Sequence, residues 1–160
     1  SRFGTMFFAH PVAAFTHLRG ALRPDGRLVM MVWQQRDRNE WATAIERALT
    51  FDEVGAARSP SDPPAFSLGD RDFAKRILDS AGFLAPTFEE VQAPVFYGID
   101  VDAAFEFVSG FSTVHEKLAQ MDAAQRERAL DRLRHLLAEH QGGEGVCFDS
   151  RAWIVAARRG

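Results

Sequence analysis

Leu22–Trp33 reads LRPDGRLVMMVW, and the order of its parts decides the fold. Arg23-Pro24-Asp25-Gly26 is a turn by composition: proline fixes one backbone dihedral, and glycine permits conformations that other residues avoid. The run after it, Arg27–Trp33, is almost continuously apolar. Bounded by a turn and followed by polar Gln34-Gln35, it predicts a strand buried on both faces, as in a parallel sheet. Ahead of the turn, Val12, Phe15, Leu18 and Leu22 recur at helical spacing. His10-Pro11 opens that helix, because proline's missing N–H would have no partner in the first turn anyway. Helix, turn and buried strand make half of an α/β unit.

Moving outward, Asn39–Leu49 predicts a second helix, with Trp41, Ile45 and Leu49 four apart, and Gly55–Pro64 is a loop by composition. Asp70–Ala81 predicts a helix capped by Asp70, with Phe73, Ala74, Ile77, Leu78 and Ala81 sharing a face. Gly82 is placed to close it in the left-handed conformation. Phe88–Tyr97 reads as a strand in which Pro94 demands an edge position or a bulge. Asp100–Gly143 reads as a helical insertion. Phe105, Val108 and Phe111 form a broken stripe around Gly110, and Asp122 with Gln125 makes a capping box. Leu130, Leu133, Leu136 and Leu137 supply an apolar face, and Gly142-Gly143 is the expected stop. Val146–Arg158 is the expected last strand.

The chain has 160 residues, 46% hydrophobic and 26% charged, with a net charge of -3, which suits one domain with a core of its own. No apolar run approaches the ~20 residues a membrane-spanning helix needs. The first residues lack a secretory pattern, so a cytoplasmic protein is expected. Cys147 is the single cysteine, which rules out an intrachain disulfide and a cysteine-built zinc site. Mild acidity without a basic run argues against nucleic acid or an anionic membrane as partner.

Three stretches together resemble a family: SRFGTMFF at Ser1–Phe8, LRPDGR at Leu22–Arg27, and the strand ending at Trp33. They are similar to the class I S-adenosylmethionine-dependent methyltransferases, closest to the branch of ubiquinone and menaquinone biosynthesis. LDSAGF at Leu78–Phe83 and AWIVAARR at Ala152–Arg159 resemble later elements of the same family. The resemblance implies the C-terminal half of a Rossmann-like sheet, mixed in direction with its last strand antiparallel, and a helical insertion before that strand. Strand five, Arg27–Trp33, would lie between strand four and the closing strand. Residues 1–160 would form a single partial domain, cut at strand four, with 100–143 as insertion or lid. The family's glycine-rich cofactor loop and ribose-binding acid have no counterpart here, since Gly142, Gly143 and Gly145 follow a helix. His10 stands where the family commonly has aspartate, and histidine is the poorer helix cap.

The resemblance implies S-adenosylmethionine as cofactor and methyl transfer to a small-molecule acceptor as the reaction. Ser1, Arg2 and Phe3 would lie at the cofactor's methionine end. Met6, Phe7, Trp33, Trp41, Phe66, Phe105 and Phe111 are the candidate acceptor residues, each with core packing as the plainer alternative. The Phe105–Phe111 stripe is either helix packing or a lid. The aromatic residues around the strand ends favour a largely apolar acceptor, quinone-like or lipid-like. No catalytic triad or metal is demanded, because methyl transfer rests on positioning and water exclusion. The five histidines read as solvated, Glu89-Glu90 as a solvated edge, and Cys147 as an inert buried thiol. A bare edge on strand five would favour a homodimer. The alternative is a non-catalytic binding or oligomerisation module.

Overall fold

In the computed structural model, which describes residues 1–50 and 64–160, the turn at Arg23–Gly26 is closed by the Gly26 N–H donating to the Arg23 carbonyl (2.8 Å). Before it stands helix α1, Pro11–Ala21, whose N-cap His10 makes no side-chain capping bond. After it runs β1, Arg27–Trp33. The remaining elements are α2 (Glu40–Leu49), α3 (Arg71–Ser80), β2 (Phe83–Gly98), α4 (Val101–Ser109), α5 (Ser112–Ala119), α6 (Ala123–Glu139), the short β3 (Gln141–Gly142) and β4 (Gly145–Arg159). Single 3-10 turns sit at Thr5–Phe7, Arg36–Arg38 and Pro64–Phe66. The expected loop at Gly55–Pro64 lies, up to residue 63, outside the described residues.

The sheet has the order β1-β4-β2, with β3 pairing onto β4. β4 runs antiparallel to β1, Arg27 opposite Arg158 and Trp33 opposite Ala152. On the other edge of β1, Arg2 pairs with Met31 in parallel. The Phe3 N–H donates to the Met31 carbonyl and the Met31 N–H to the Ser1 carbonyl, both at 2.9 Å. This fold is mixed α/β.

Two compact units divide the described chain: residues 1–39, 64–92 and 151–160 in the first, 40–50 and 93–150 in the second. In the first, Phe15 of α1, Met30 and Val32 of β1, Ala74, Ile77 and Leu78 of α3, and Val155 of β4 are all buried in one cluster. In the second, Ile45 and Leu49 of α2 join Val108, Val114, Leu133 and Leu137 from α4–α6 and Val146 and Phe148 of β4. Each helix contributes a narrow apolar stripe, as a helix with one buried face must.

Several expectations are corrected. β1 is not buried on both faces: Met30 and Val32 are enclosed, while Val29, next to Met30 and on the opposite face, is 44% exposed. A continuous apolar run does not tell which face is covered, and here one face carries the contact with α1 and α3. Phe73 is 42% exposed beside Arg76, off the Ala74–Ile77–Leu78 stripe that buries α3. β2 starts at Phe83 rather than Phe88, and Ala85 at φ 48 turns the backbone just before Pro86. Pro94 is tolerated because β2 ends the sheet order. Gly142-Gly143 does not stop α6; the helix ends at Glu139 with His140 as its C-cap, and the glycines build the β3–β4 hairpin. The capping box of Asp122 and Gln125 is formed, and Gly82 closes α3 at φ 81.

Candidate functional site

Phe3 and Trp33 meet where β1 ends. Their rings stack with centroids 4.0 Å apart and planes 20° from parallel. Phe3 holds φ at 54, a left-handed backbone that costs a bulky residue about 1–3 kcal/mol and persists only where surroundings enforce it. The parallel bonds to Met31 and the stack on Trp33 do so. The Arg2 guanidinium lies 5.8 Å from the Phe3 ring, and Arg2 is otherwise exposed, as is Ser1. Phe3 and Trp33 pack against the core that contains Met6, which is 3% exposed, whereas Phe7 is 56% exposed. Phe66 is half-buried in the same unit, its carbonyl accepting the Gly69 N–H. Trp41, Phe105 and Phe111 belong to the second unit, half-buried against its core. There Arg134 sits 3.9 Å over the Phe105 ring, and Phe111 packs edgewise on Phe107. The candidate acceptor residues are thus divided between the two units.

Directly after Trp33 the chain builds a polar cleft of about 380 Å³ within the first unit. Asn39 fixes its wall: its amide nitrogen donates to the Gln34 (3.2 Å) and Gln35 (3.1 Å) carbonyls, and its oxygen accepts the Arg151 N–H (3.0 Å). Gly69 passes so close that a Cβ there would stand 2.6 Å from the Gln34 and Gln35 backbone. Its carbonyl accepts the indole N–H of Trp153 (3.0 Å). Gln34, Gln35, Asp70, Asp72, Glu90 and Trp153 line the cleft, together with Arg38 and Arg71. Glu90 pairs with Arg151 at 2.5 Å. That bond above all, helped by Gln34 and opposed by burial, holds its carboxyl below the usual carboxylate range. Glu90 is therefore an anchored wall group rather than a merely solvated edge. The sequence does not single out Gln34 or Trp153; the available signal was a polar Gln-Gln pair at the carboxyl end of a strand, where open α/β sheets bind ligands.

No family model and no curated protein matches the chain. A solved structure does, that of a Bacillus halodurans protein described as a "putative methyltransferase". The identity is 13% and the TM-score 0.50, over 99% of this chain and 62% of that one. The fold is methyltransferase-like. At this identity the likeness concerns architecture, and the chain spans 62% of its neighbour's length. Among the described residues, no helix of this methyltransferase-like fold is long and apolar enough to cross a membrane, and no three His, Cys, Asp or Glu side chains are grouped to hold a metal ion.

The second unit of the methyltransferase-like fold corrects the reading of the histidines. His140 is largely enclosed, its ring stacked 4.1 Å from Phe148. Its Nδ1 lies 2.9 Å from the Leu136 carbonyl and its Nε2 3.0 Å from Glu40 Oε1. Both partners only accept, so both bonds exist together only in the imidazolium. Burial works against that charge, but the bonds to Glu40 and Leu136 outweigh it and raise the pKa above the ordinary 6.5. For Glu40, burial is likewise overcome by the bonds from His140 and the Asp149 N–H, and its pKa falls below 4.5. A raised histidine contributes stability that is lost as pH rises through its folded pKa; a lowered carboxyl contributes stability lost as pH falls through its own. The clamp is therefore fullest between 4.5 and 6.5. Thermal unfolding followed from about pH 6 to pH 9 should lose about 1 kcal/mol that His140→Asn does not lose. Identical pH profiles for the two proteins would contradict the clamp.

Proposed function

We propose that this chain supplies the acceptor side of an S-adenosylmethionine-dependent methyltransferase acting on a small metabolite with a largely apolar body. One observation carries the reading: β1 lies between a parallel segment, Ser1–Phe3, and the antiparallel closing strand β4. That is the neighbourhood the resemblance implies for strand five. The methyltransferase-like architecture and the ring pair at the exit of β1 support it. S-adenosylmethionine, when bound, supplies an electrophilic methyl group on a sulfonium. The reading assigns residues of this chain to one end of it only. Ser1, Arg2 and Phe3 are assigned to the methionine end, whereas Gly142 and Gly143 form a hairpin turn and, among the described residues, no strand–glycine loop–helix cradle for adenosine is formed. The chain's own contribution is orientation and exclusion of water: Phe3 and Trp33 give a flat apolar wall, and Phe105 and Phe111 are proposed to line a lid. Pairing of two copies belongs to the same proposal, through the exposed Ser1–Phe8 stretch rather than β1, whose edge Ser1 and Phe3 already occupy with bonds at Val29 and Met31.

Calorimetry with S-adenosylmethionine tests the assignment. The 160-residue chain by itself should show no measurable heat, because the contacts it offers cannot offset the cost of ordering the ligand. The protein as its gene encodes it should bind, and Arg2→Ala should weaken that binding. Micromolar binding to the 160 residues alone, or none to the encoded protein, would overturn the reading. The second of these would favour a non-catalytic binding module.

A further inference from the structure

The two faces of the β1–β4 pair differ in what they meet. Successive side chains of a strand point to opposite faces, so Met30 and Val32 share one face, and Val155, across from Met30, belongs to it. That face is buried against α1 and α3. Arg159, on the same side of β4, donates to the Gly20 and Leu22 carbonyls at the end of α1. The opposite face carries Val29 across from Ala156 and Met31 across from Ile154. Val29 is 44% exposed, and the other three are half-buried. Contiguous apolar surface of this kind marks a site of contact with another molecule.

Charges of both signs border that stripe. At one end Arg27 and Arg158 stand directly opposite each other, both exposed, and like charges in such a pair repel. On β2, Glu90 pairs with Arg151, which shares the helix-covered face with Val155; Glu89, one residue back, therefore points to the other face. Thr87, on the face of Glu89, donates to the Ala156 carbonyl (3.4 Å). β2 thus passes beside the stripe, and it runs antiparallel to β4, since Thr87 meets Ala156 and Glu90 meets Arg151. Glu89 accordingly lies away from the arginine end. Among the described residues, neither arginine nor Glu89 has an ionic or hydrogen-bonding partner. A purely anionic partner would be repelled by Glu89, and a cationic one by the arginines. A surface with both signs around an apolar centre suits a copy of itself, because a two-fold axis can set each charge over its opposite.

We propose that two copies of this chain pack by this sheet face, with Val29, Met31, Ile154 and Ala156 at the centre and each Arg27–Arg158 pair over Glu89 of the partner subunit. The inference rests on the pairing of two copies proposed above, and adds this face to the Ser1–Phe8 stretch, whose first residues continue the sheet beyond β1. Two sheets stack in this way about 10 Å apart with their strands within about 30° of each other. Sedimentation equilibrium of the 160-residue chain tests it, with thermal unfolding of each variant alongside. The chain should dimerise with a Kd of about 10 μM or tighter, and Val29→Asp should weaken the dimer about tenfold or more. Arg27→Glu with Arg158→Glu should weaken it about tenfold, Glu89→Arg should do the same, and all three together should restore it to within about threefold. Arg27→Glu with Arg158→Glu exchanges one like-charged pair for another, so unfolding should not change. If Val29→Asp fails to fold, the charge series decides. A monomer at every concentration, a dimer indifferent to the charge changes, or a triple variant no tighter than its parts would overturn the proposal. A dimer lost with Phe7→Asp yet kept with Val29→Asp would also overturn it, leaving pairing through Ser1–Phe8 alone. Methyl transfer enters none of these readouts, so failure of this interface and failure of the proposed reaction are told apart.

Discussion

Phe148→Ala should destabilise the second unit by about 3–5 kcal/mol, the cost of removing a buried aromatic ring whose surroundings relax only in part. Phe148 is 1% exposed, meets Tyr97 edgewise at 5.0 Å and carries the His140 ring on its face at 4.1 Å. Its loss would open a cavity and also release the imidazolium that ties α6 to Glu40. Phe107 touches the same Tyr97 at 5.6 Å but is 52% exposed, so Phe107→Ala should cost less than about 1 kcal/mol. Urea unfolding of the two variants checks the contrast. Similar midpoints for both would mean that the aromatic cluster is not the core of its unit.

Phe3→Gly should separate stability from function. Glycine adopts φ 54 without strain, so the substitution recovers about 1–3 kcal/mol of backbone cost. It also loses the stack on Trp33, worth about 0.5–1.5 kcal/mol beyond buried area. Together with the lost buried area of the half-buried ring, that loss exceeds the recovered backbone cost, so the variant should be destabilised, by less than the cost of truncating a fully buried ring, about 3–5 kcal/mol. The methyl transfer proposed for the encoded protein should fall about tenfold or more, because the Phe3 ring forms the wall at that proposed site. A loss of turnover matched by a loss of stability would make Phe3 an ordinary packing residue.

The helices were legible where their ends carried chemistry. Asp70, Asp122 and Gly82 signal their roles by residue type alone, and each plays that role. The strand Arg27–Trp33 was legible as a strand but not in its burial, because an apolar run says nothing about which neighbours cover it. Gly142-Gly143 misled for a related reason: two glycines suit a helix stop and a hairpin equally, and pairing of Gln141 with Val146 decided for the hairpin. Of the polar cleft, only the Gln34-Gln35 pair at the end of the strand carried a signal. Gln34, Asp70, Glu90 and Trp153 are far apart in sequence, and only the approach of Gly69 to the end of β1 brings them to one place. His140 and Glu40 are a hundred residues apart, and nothing in the sequence pairs them.

Transfer of tritium-labelled methyl groups from S-adenosylmethionine to small phenol and quinol acceptors, by the protein as its gene encodes it, tests the central claim most directly. Label should appear in the solvent-extracted product and should be lost with Trp33→Ala while the fold is kept. Cofactor binding without any labelled product across the acceptor panel, or transfer that is indifferent to Phe3 and Trp33, would contradict it.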